Sequence, residues 1–99
     1  MNAKTESSII ELAKKIIESY KDKLDKKEIN IENPTITRSQ NNGKYSSELT
    51  INVKDDSGIF DVLEFFIYKD DNLTADLDEY ETHIKDFIKE ILDEINESE

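Results

Sequence analysis

In this 99-residue chain, the side chains whose spacing most resembles that of a set of ligands lie in the acidic stretch "DDNLTADLDEYE". Oxygen-bearing side chains occupy its first, third, fifth, ninth and twelfth places, and they belong to Asp70, Asn72, Thr74, Asp78 and Glu81. Carboxylate, amide and hydroxyl oxygens at this spacing are ligands that a calcium ion takes from a continuous loop. One hypothesis is therefore a calcium site over residues 70–81.

The stretch departs from the calcium pattern at one demanding place. It partly resembles the loop of an EF-hand, but its sixth residue is Ala75, where the sharp turn of that loop requires glycine. The hypothesis also needs an entering helix over residues 59–68, whose apolar spacing permits one helical face. The same residues are rich in aromatic and β-branched types and follow a turn sequence, which favours a strand. The alternative interpretation is an acidic loop that leads into a helix.

Other residues that could carry out chemistry are few. His83 is the single histidine, and without a second histidine or any cysteine it cannot hold a transition metal by itself. We interpret it as a residue at the border of the core. Both glycines fall in turn sequences, and no serine or threonine stands in a nucleophile motif. We therefore predict a protein that is not an enzyme and that has no cofactor.

The charge of the chain is strongly negative and unevenly placed. The net charge is −11, and residues 70–99 hold twelve acids against Lys85 and Lys89, so this third alone carries −10. Such a field disfavours direct binding to nucleic acid or to an anionic membrane, since both need clustered lysine and arginine. It favours a basic protein partner, and a helix face that is only solvated is the alternative. The acids predicted to contact a partner are Asp78, Glu79, Asp86, Glu90, Asp93 and Glu94.

Two segments have the hydrophobic period of an amphipathic helix. The first runs from about residue 7 to residue 24, and the second from about residue 74 to residue 96. We expect Ser7 or Ser8 to cap the first helix and Thr74 to cap the second.

Between the helices, turn sequences define three strands. Asn42 and Gly43 suit a two-residue type I′ turn, and pairing outward from it sets Ile36 opposite Leu49. Pro34 cannot donate a hydrogen bond to a neighbouring strand, which places the first strand at an edge or at a bulge.

The third predicted strand, "IFDVLEFFIY", has two apolar sides. A three-residue loop that ends at Gly58 would set Leu49 opposite Phe65 and would turn Leu63, Phe65 and Ile67 towards the core. The other side would then carry a row of large apolar residues. If both helices cover one side of the sheet only, this row is exposed and is a surface for association. The row consists of Phe60, Val62, Phe66 and Tyr68.

The order of these elements predicts an α+β fold, α-β-β-β-α, in which a three-stranded antiparallel meander packs against amphipathic helices at both ends of the chain. We expect a single domain over residues 1–99, with residues 1–6 and 97–99 frayed. The first residues lack the apolar run of a signal peptide and no segment is long enough to span a membrane. We therefore expect a cytoplasmic location.

Small size, strong acidity, few glycines, an excess of lysine over arginine and this element order resemble those of small phage-encoded inhibitor proteins, including some anti-CRISPR proteins. The resemblance implies occupation of the DNA-binding cleft of a Cas9-type nuclease, and it transfers no residue role because it rests on no motif. The leading hypothesis is a non-enzymatic acidic protein-binding module that inhibits a basic, nucleic-acid-handling protein. The alternatives are a homo-oligomeric structural protein and a calcium-responsive domain.

Overall fold

In the computed structural model, which describes residues 3–97, an antiparallel sheet of five strands lies in the sequence between helices at both ends of the chain. The elements are α1 (Ala3–Ser19), α2 (Lys21–Lys26), β1 (Asn30–Ile31), β2 (Thr35–Asn41), β3 (Lys44–Asp55), β4 (Gly58–Lys69), β5 (Asn72–Leu73) and α3 (Leu77–Glu97). The α+β class is the predicted one, whereas three strands were expected and five are found. Among the described residues, no helix is long and apolar enough to cross a membrane.

The N-terminal helical region differs from its prediction in its start and in its continuity. α1 begins at Ala3, before the expected serine caps, and Glu6, which was expected in a frayed end, is buried. Tyr20 then leaves the helical region with φ −104° and ψ 3°, so the predicted single helix is two. Leu24 of α2 remains buried, as the hydrophobic period predicted.

The β2–β3 hairpin has the predicted register. Asn42 and Gly43 have φ values of 53° and 76°, as a type I′ turn requires, and Ile36 lies opposite Leu49. β1 pairs with the same edge of β3 further along, and its register differs from that of β2 by one residue. The two short strands are therefore one edge strand that is interrupted at Pro34, which confirms the placement of this proline at an edge and a bulge.

Two irregularities interrupt the pairing of β3 with β4, and the first lies near their turn. In the middle of the hairpin the predicted register holds, with Leu49 opposite Phe65. At the turn, Asp55 lies opposite Gly58, so the loop has two residues instead of the expected three. The residue gained by the tighter turn is accommodated in β4 as a bulge at Phe60.

The second bulge reverses the side on which Tyr68 lies. Glu48 is opposite Phe66 and Ser47 is opposite Tyr68, so Ile67 is the extra residue. One inserted residue moves the following side chain to the other face of a sheet. Tyr68 is therefore buried, with 7% of its surface exposed, and its predicted place in the exposed row is wrong.

The core lies between the two long helices and one face of the sheet. The buried apolar residues of that face are Leu49, Ile51 and Val53 of β3 with Ile67 and Tyr68 of β4, and they form one cluster with Ile9, Ala13 and Ile16 of α1 and Ile84, Ile88 and Ile91 of α3. Both helices therefore cover the same face. The other face of the sheet is left open by residues 3–97, as the large exposed side chains on β4 show.

The start of α3 is set by Asp76 and not by the predicted Thr74. Asp76 Oδ1 accepts a hydrogen bond from the main-chain N–H of Glu79 at 2.9 Å, which is the bond of an N-cap residue. Thr74 instead donates its hydroxyl to the main-chain oxygen of Phe66 at 2.6 Å. The side chain expected at the helix end thus ties β5 to β4.

Candidate functional site

The residues predicted to bind calcium do not surround one centre. The segment that would have to be the entering helix, residues 59–68, lies in strand β4. Asp70 and Asp71 have φ values of 49° and 70° and form a two-residue turn, across which Lys69 pairs with Asn72. The EF-hand interpretation is therefore wrong, because a tight β-hairpin stands where the calcium loop was expected.

The polar groups of these residues also have other partners. Asn72 Nδ2 donates a hydrogen bond to the main-chain oxygen of Asp70 at 3.1 Å, and the Glu81 carboxylate lies 2.8 Å from the Lys85 ammonium. Asp78 is exposed on the first turn of α3. Over residues 3–97, no group of three acidic or histidine side chains is arranged to hold a metal ion.

α3 carries most of its acids on the side that faces away from the core. At about 100° per residue, five exposed acids lie within an arc of about 100°, on the opposite side from the buried isoleucines. We call these five the acidic stripe, and they are Glu79, Asp86, Glu90, Asp93 and Glu94. The stripe is about 22 Å long at a rise of about 1.5 Å per residue. Asp78, the sixth predicted contact, lies about 100° from the neighbouring Glu79 and is outside the stripe.

The two lysines of α3 lie differently with respect to the stripe, since Lys89 lines a cavity together with Asp93 whereas Lys85 pairs with an acid outside the stripe. Among described residues, the ion pair on α3 joins Lys85 to Glu81, and Glu81 lies outside the stripe. The other lysine of α3 borders a cavity of about 430 Å³ between α2 and α3, which is lined by Tyr20, Lys23, Lys26, Lys27, Lys89, Leu92 and Asp93. This basic patch was not predicted from the sequence. The spacing of its lysines at residues 23, 26 and 27 was the available signal.

The open face of the sheet carries the other predicted surface. Phe60, Val62 and Phe66 are exposed by 44%, 38% and 36%, and Ile59 by 58%. We call these four residues the apolar row. The Lys69 ammonium lies 5.0 Å from the centre of the Phe66 ring, a cation–π distance. Three of the four residues predicted in the row are thus exposed, and their role in association stays a prediction.

The acidic stripe lies on α3 and the apolar row lies on the open face of the sheet, so the core separates them. Around the helix axis His83 falls among the residues of the stripe, and Glu79 at the start of the stripe borders β4. Beside β4, a groove of about 330 Å³ lies between these two surfaces, and its lining includes Phe65, Phe66, Glu79 and His83. The rings of Phe65 and His83 have their centres 6.1 Å apart, so this side of α3 faces β4. The sequence predicted both surfaces but not the groove where they approach each other.

The most buried carboxylate belongs to α1 and has a structural role. Glu6 is 1% exposed, lies 3.0 Å from the Arg38 guanidinium and accepts a hydrogen bond from the Tyr45 hydroxyl. Burial acts to raise the pKa of Glu6, but the nearby Ser47 hydroxyl, the Tyr45 bond and Arg38 outweigh it and lower that pKa. The Ser47 hydroxyl itself is buried and, among residues 3–97, has no partner at hydrogen-bonding distance and angle. This cluster fixes α1 to β2 and β3.

Comparison with known proteins identifies no relative, since no family model, no curated protein and no solved structure matches the chain. Function has therefore to be inferred from the surfaces of the molecule.

Proposed function

We propose that this chain is a non-enzymatic protein-binding module that occupies a basic surface of a nucleic-acid-handling protein and inhibits it. The observation that supports this proposal is the acidic stripe, whose five exposed carboxylates share the outward side of one helix. Carboxylates arranged in this way create a local negative potential that attracts a basic partner and speeds encounter. We also propose that the protein is located in the cytoplasm.

The charge density of the stripe indicates which kind of basic surface it fits. Five charges that span about 22 Å are separated by four intervals, so neighbouring charges lie on average about 5–6 Å apart along the helix axis. Duplex DNA carries one charge per about 1.7 Å of its axis, and each strand one per about 3.4 Å. The stripe therefore comes closer to a single strand than to a duplex. We expect it to compete with the nucleic acid for a groove that holds one phosphate backbone.

The stripe can be tested with two variants of equal net charge. The stripe variant E79Q/D86N/E90Q removes three carboxylates from α3, and the control E18Q/D22N/D56N removes three exposed carboxylates elsewhere. Tagged proteins are used to capture a partner from the source cell at about 50 mM and about 500 mM salt, a range over which screening becomes strong.

We expect the stripe variant to capture at least about tenfold less partner than the unaltered protein. The amount captured by the control should fall by less than about threefold. Added single-stranded nucleic acid should displace the partner. Equal capture by both variants, or capture that does not respond to salt, would contradict the proposal.

The exposed apolar row supports a second candidate function, self-association. An apolar surface on an open sheet face is typical of a contact between proteins, and a second copy of the chain could cover it. The net charge of −11 opposes this association, so it should strengthen as salt rises. Sedimentation at high protein concentration tests the candidate, and a monomer in both low and high salt would dispose of it.

A further inference from the structure

Most of the outer edge of β4 is unpaired. In residues 3–97 the neighbours of β4 are β3 on one side and β5 on the other, and β5 covers Tyr68 and Lys69 alone. Thr74 extends this cover to the main-chain oxygens of Phe66 and Ile67. The edge before Phe66 therefore has no strand beside it, and an uncovered edge of this length is a template for a further strand.

Two hydrogen bonds show which main-chain groups point outward along this edge. The N–H of Val62 donates to Asp61 Oδ1 at 2.9 Å, and the oxygen of Phe66 accepts from the Thr74 hydroxyl. In an antiparallel pair, alternate residues direct both main-chain groups to the same side. Val62, Glu64 and Phe66 therefore point away from β3, and the Asp61 carboxylate covers the N–H of Val62 in the free protein.

Different chemistry lies on the two sides of this edge. On the open face of the sheet, Val62 and Phe66 present apolar side chains. On the helix side, the groove is lined by Phe65, His83 and Glu79, the first residue of the acidic stripe, and also by Lys69, whose ammonium lies over the Phe66 ring. A strand added here would place alternate side chains against Val62 on the open face and towards the Glu79 carboxylate on the helix side, since successive side chains of a strand point to opposite faces.

We propose that the free edge of β4 at residues 62–65 receives an extended segment of the partner as an antiparallel strand with alternating apolar and basic side chains. The inference rests on the proposed function, since it assigns the basic partner a binding mode. The main-chain groups of Val62 and Glu64 supply the hydrogen bonds, and side-chain alternation supplies the specificity. A second copy of the chain is a poorer occupant, because it brings another Glu64 and a further −11 charge to the same edge.

Three synthetic peptides test this binding mode. The first is a seven-residue peptide of alternating valine and lysine, blocked at both ends. Residues that lie opposite each other in antiparallel strands share a face, so its valines should pair with Val62 and Glu64 and should direct their N–H groups to them. The second peptide is N-methylated at the valines and the third at the lysines, with charge and side chains unchanged.

We expect the unmodified peptide to bind and to protect the amides of Val62 and Glu64 from hydrogen exchange. Methylation at the valines should weaken binding at least about tenfold, whereas methylation at the lysines should change it less than about threefold. Equal affinity of the three peptides would overturn the inference, and so would protection confined to α3.

A protein variant supplies an independent check. The N–H of Glu64 points outward, so E64P removes an edge donor without removing a bond to β3, and E64Q changes the charge alone. We expect E64P to bind the peptide at least about tenfold more weakly than E64Q. If E64P fails to fold, protection of the Val62 and Glu64 amides from hydrogen exchange in the unaltered protein still tests whether the peptide binds at this edge.

The outcomes separate this inference from the proposed function. A protein whose partner capture depends on the stripe, but which binds all three peptides equally, keeps the proposed function and loses the strand addition. If the unmodified peptide is bound selectively but partner capture does not depend on the stripe, the proposed function is contradicted and strand addition at the β4 edge is supported.

Discussion

At the scale of single residues, Phe66 and Tyr68 are two positions apart in β4 but lie on opposite faces of the sheet. Phe66 is 36% exposed and Tyr68 is 7% exposed, although both were predicted in the same row. The bulge at Ile67 separates them, and the Tyr68 ring lies on the core side with its centre 6.0 Å from that of Tyr45. Their substitution should therefore have very different consequences.

We expect Tyr68→Ala to lower the free energy of unfolding by about 3 kcal/mol or more, as large aromatic deletions in a core do. Phe66→Ala should lower it by less than about 1 kcal/mol, because this side chain is already partly in water. Urea denaturation of the two variants measures the difference. Equal losses would mean that both side chains lie on the same face.

The buried carboxylate of Glu6 predicts a dependence of stability on pH. Its pKa in the folded protein lies below the ordinary value of 4.5, so its carboxylate contribution is complete above that pH. The contribution is lost as the pH falls from about 4.5 through the lower pKa of the folded state.

We expect Glu6→Gln to cost about 1–3 kcal/mol at pH 7, since it removes the charge that Arg38 and Tyr45 bind. The cost should shrink as the pH falls below about 4, where the unaltered protein also loses this charge. Thermal unfolding of both proteins from pH 7 to pH 3 measures it. A constant difference over that range would show that Glu6 contributes no charge-dependent stability.

At the scale of elements, the sequence predicted what local patterns determine. The Asn42–Gly43 turn, the interruption at Pro34 and the central register of β3 with β4 follow from side-chain alternation and turn chemistry, and they are confirmed. The bulges at Phe60 and Ile67 could not be predicted, because a bulge is selected by packing of the whole sheet and leaves no local sign. The turn at Asp70 and Asp71 was missed, because aspartate in the left-handed region is much less common than glycine.

The start of α3 gives a prediction at this scale. Asp76→Ala removes the N-cap bond to the N–H of Glu79 and should cost about 1 kcal/mol of stability. Asp78→Ala is the matched control, since Asp78 also lies in the first turn of α3 but follows the N-cap position instead of occupying it. It should lose only the weaker attraction to the helix dipole, about 0.5 kcal/mol. Denaturant unfolding compares them, and a larger loss for Asp78→Ala would show that another residue caps the helix.

At the scale of the whole molecule, the fold separates features that are close in the sequence. The acidic stripe was predicted to contact a basic partner and the apolar row to serve association, and the two lie on opposite layers of a two-layer domain. The sequence could not show this, because the sheet and α3 are placed by the shared core and not by the residues of either surface. The free edge of β4 lies beside both surfaces, and the strand that we propose to bind there would contact each of them.

The salt dependence of partner binding shows directly whether the acidic stripe contacts a basic partner. The affinity of the captured partner is measured between about 50 mM and about 500 mM salt for the unaltered protein and for E79Q/D86N/E90Q. We predict that the affinity of the unaltered protein falls at least about tenfold over this range, and that the variant starts weaker and falls less steeply. Parallel curves for the two proteins would contradict the account, because the acidic stripe would then make no electrostatic contact with the partner.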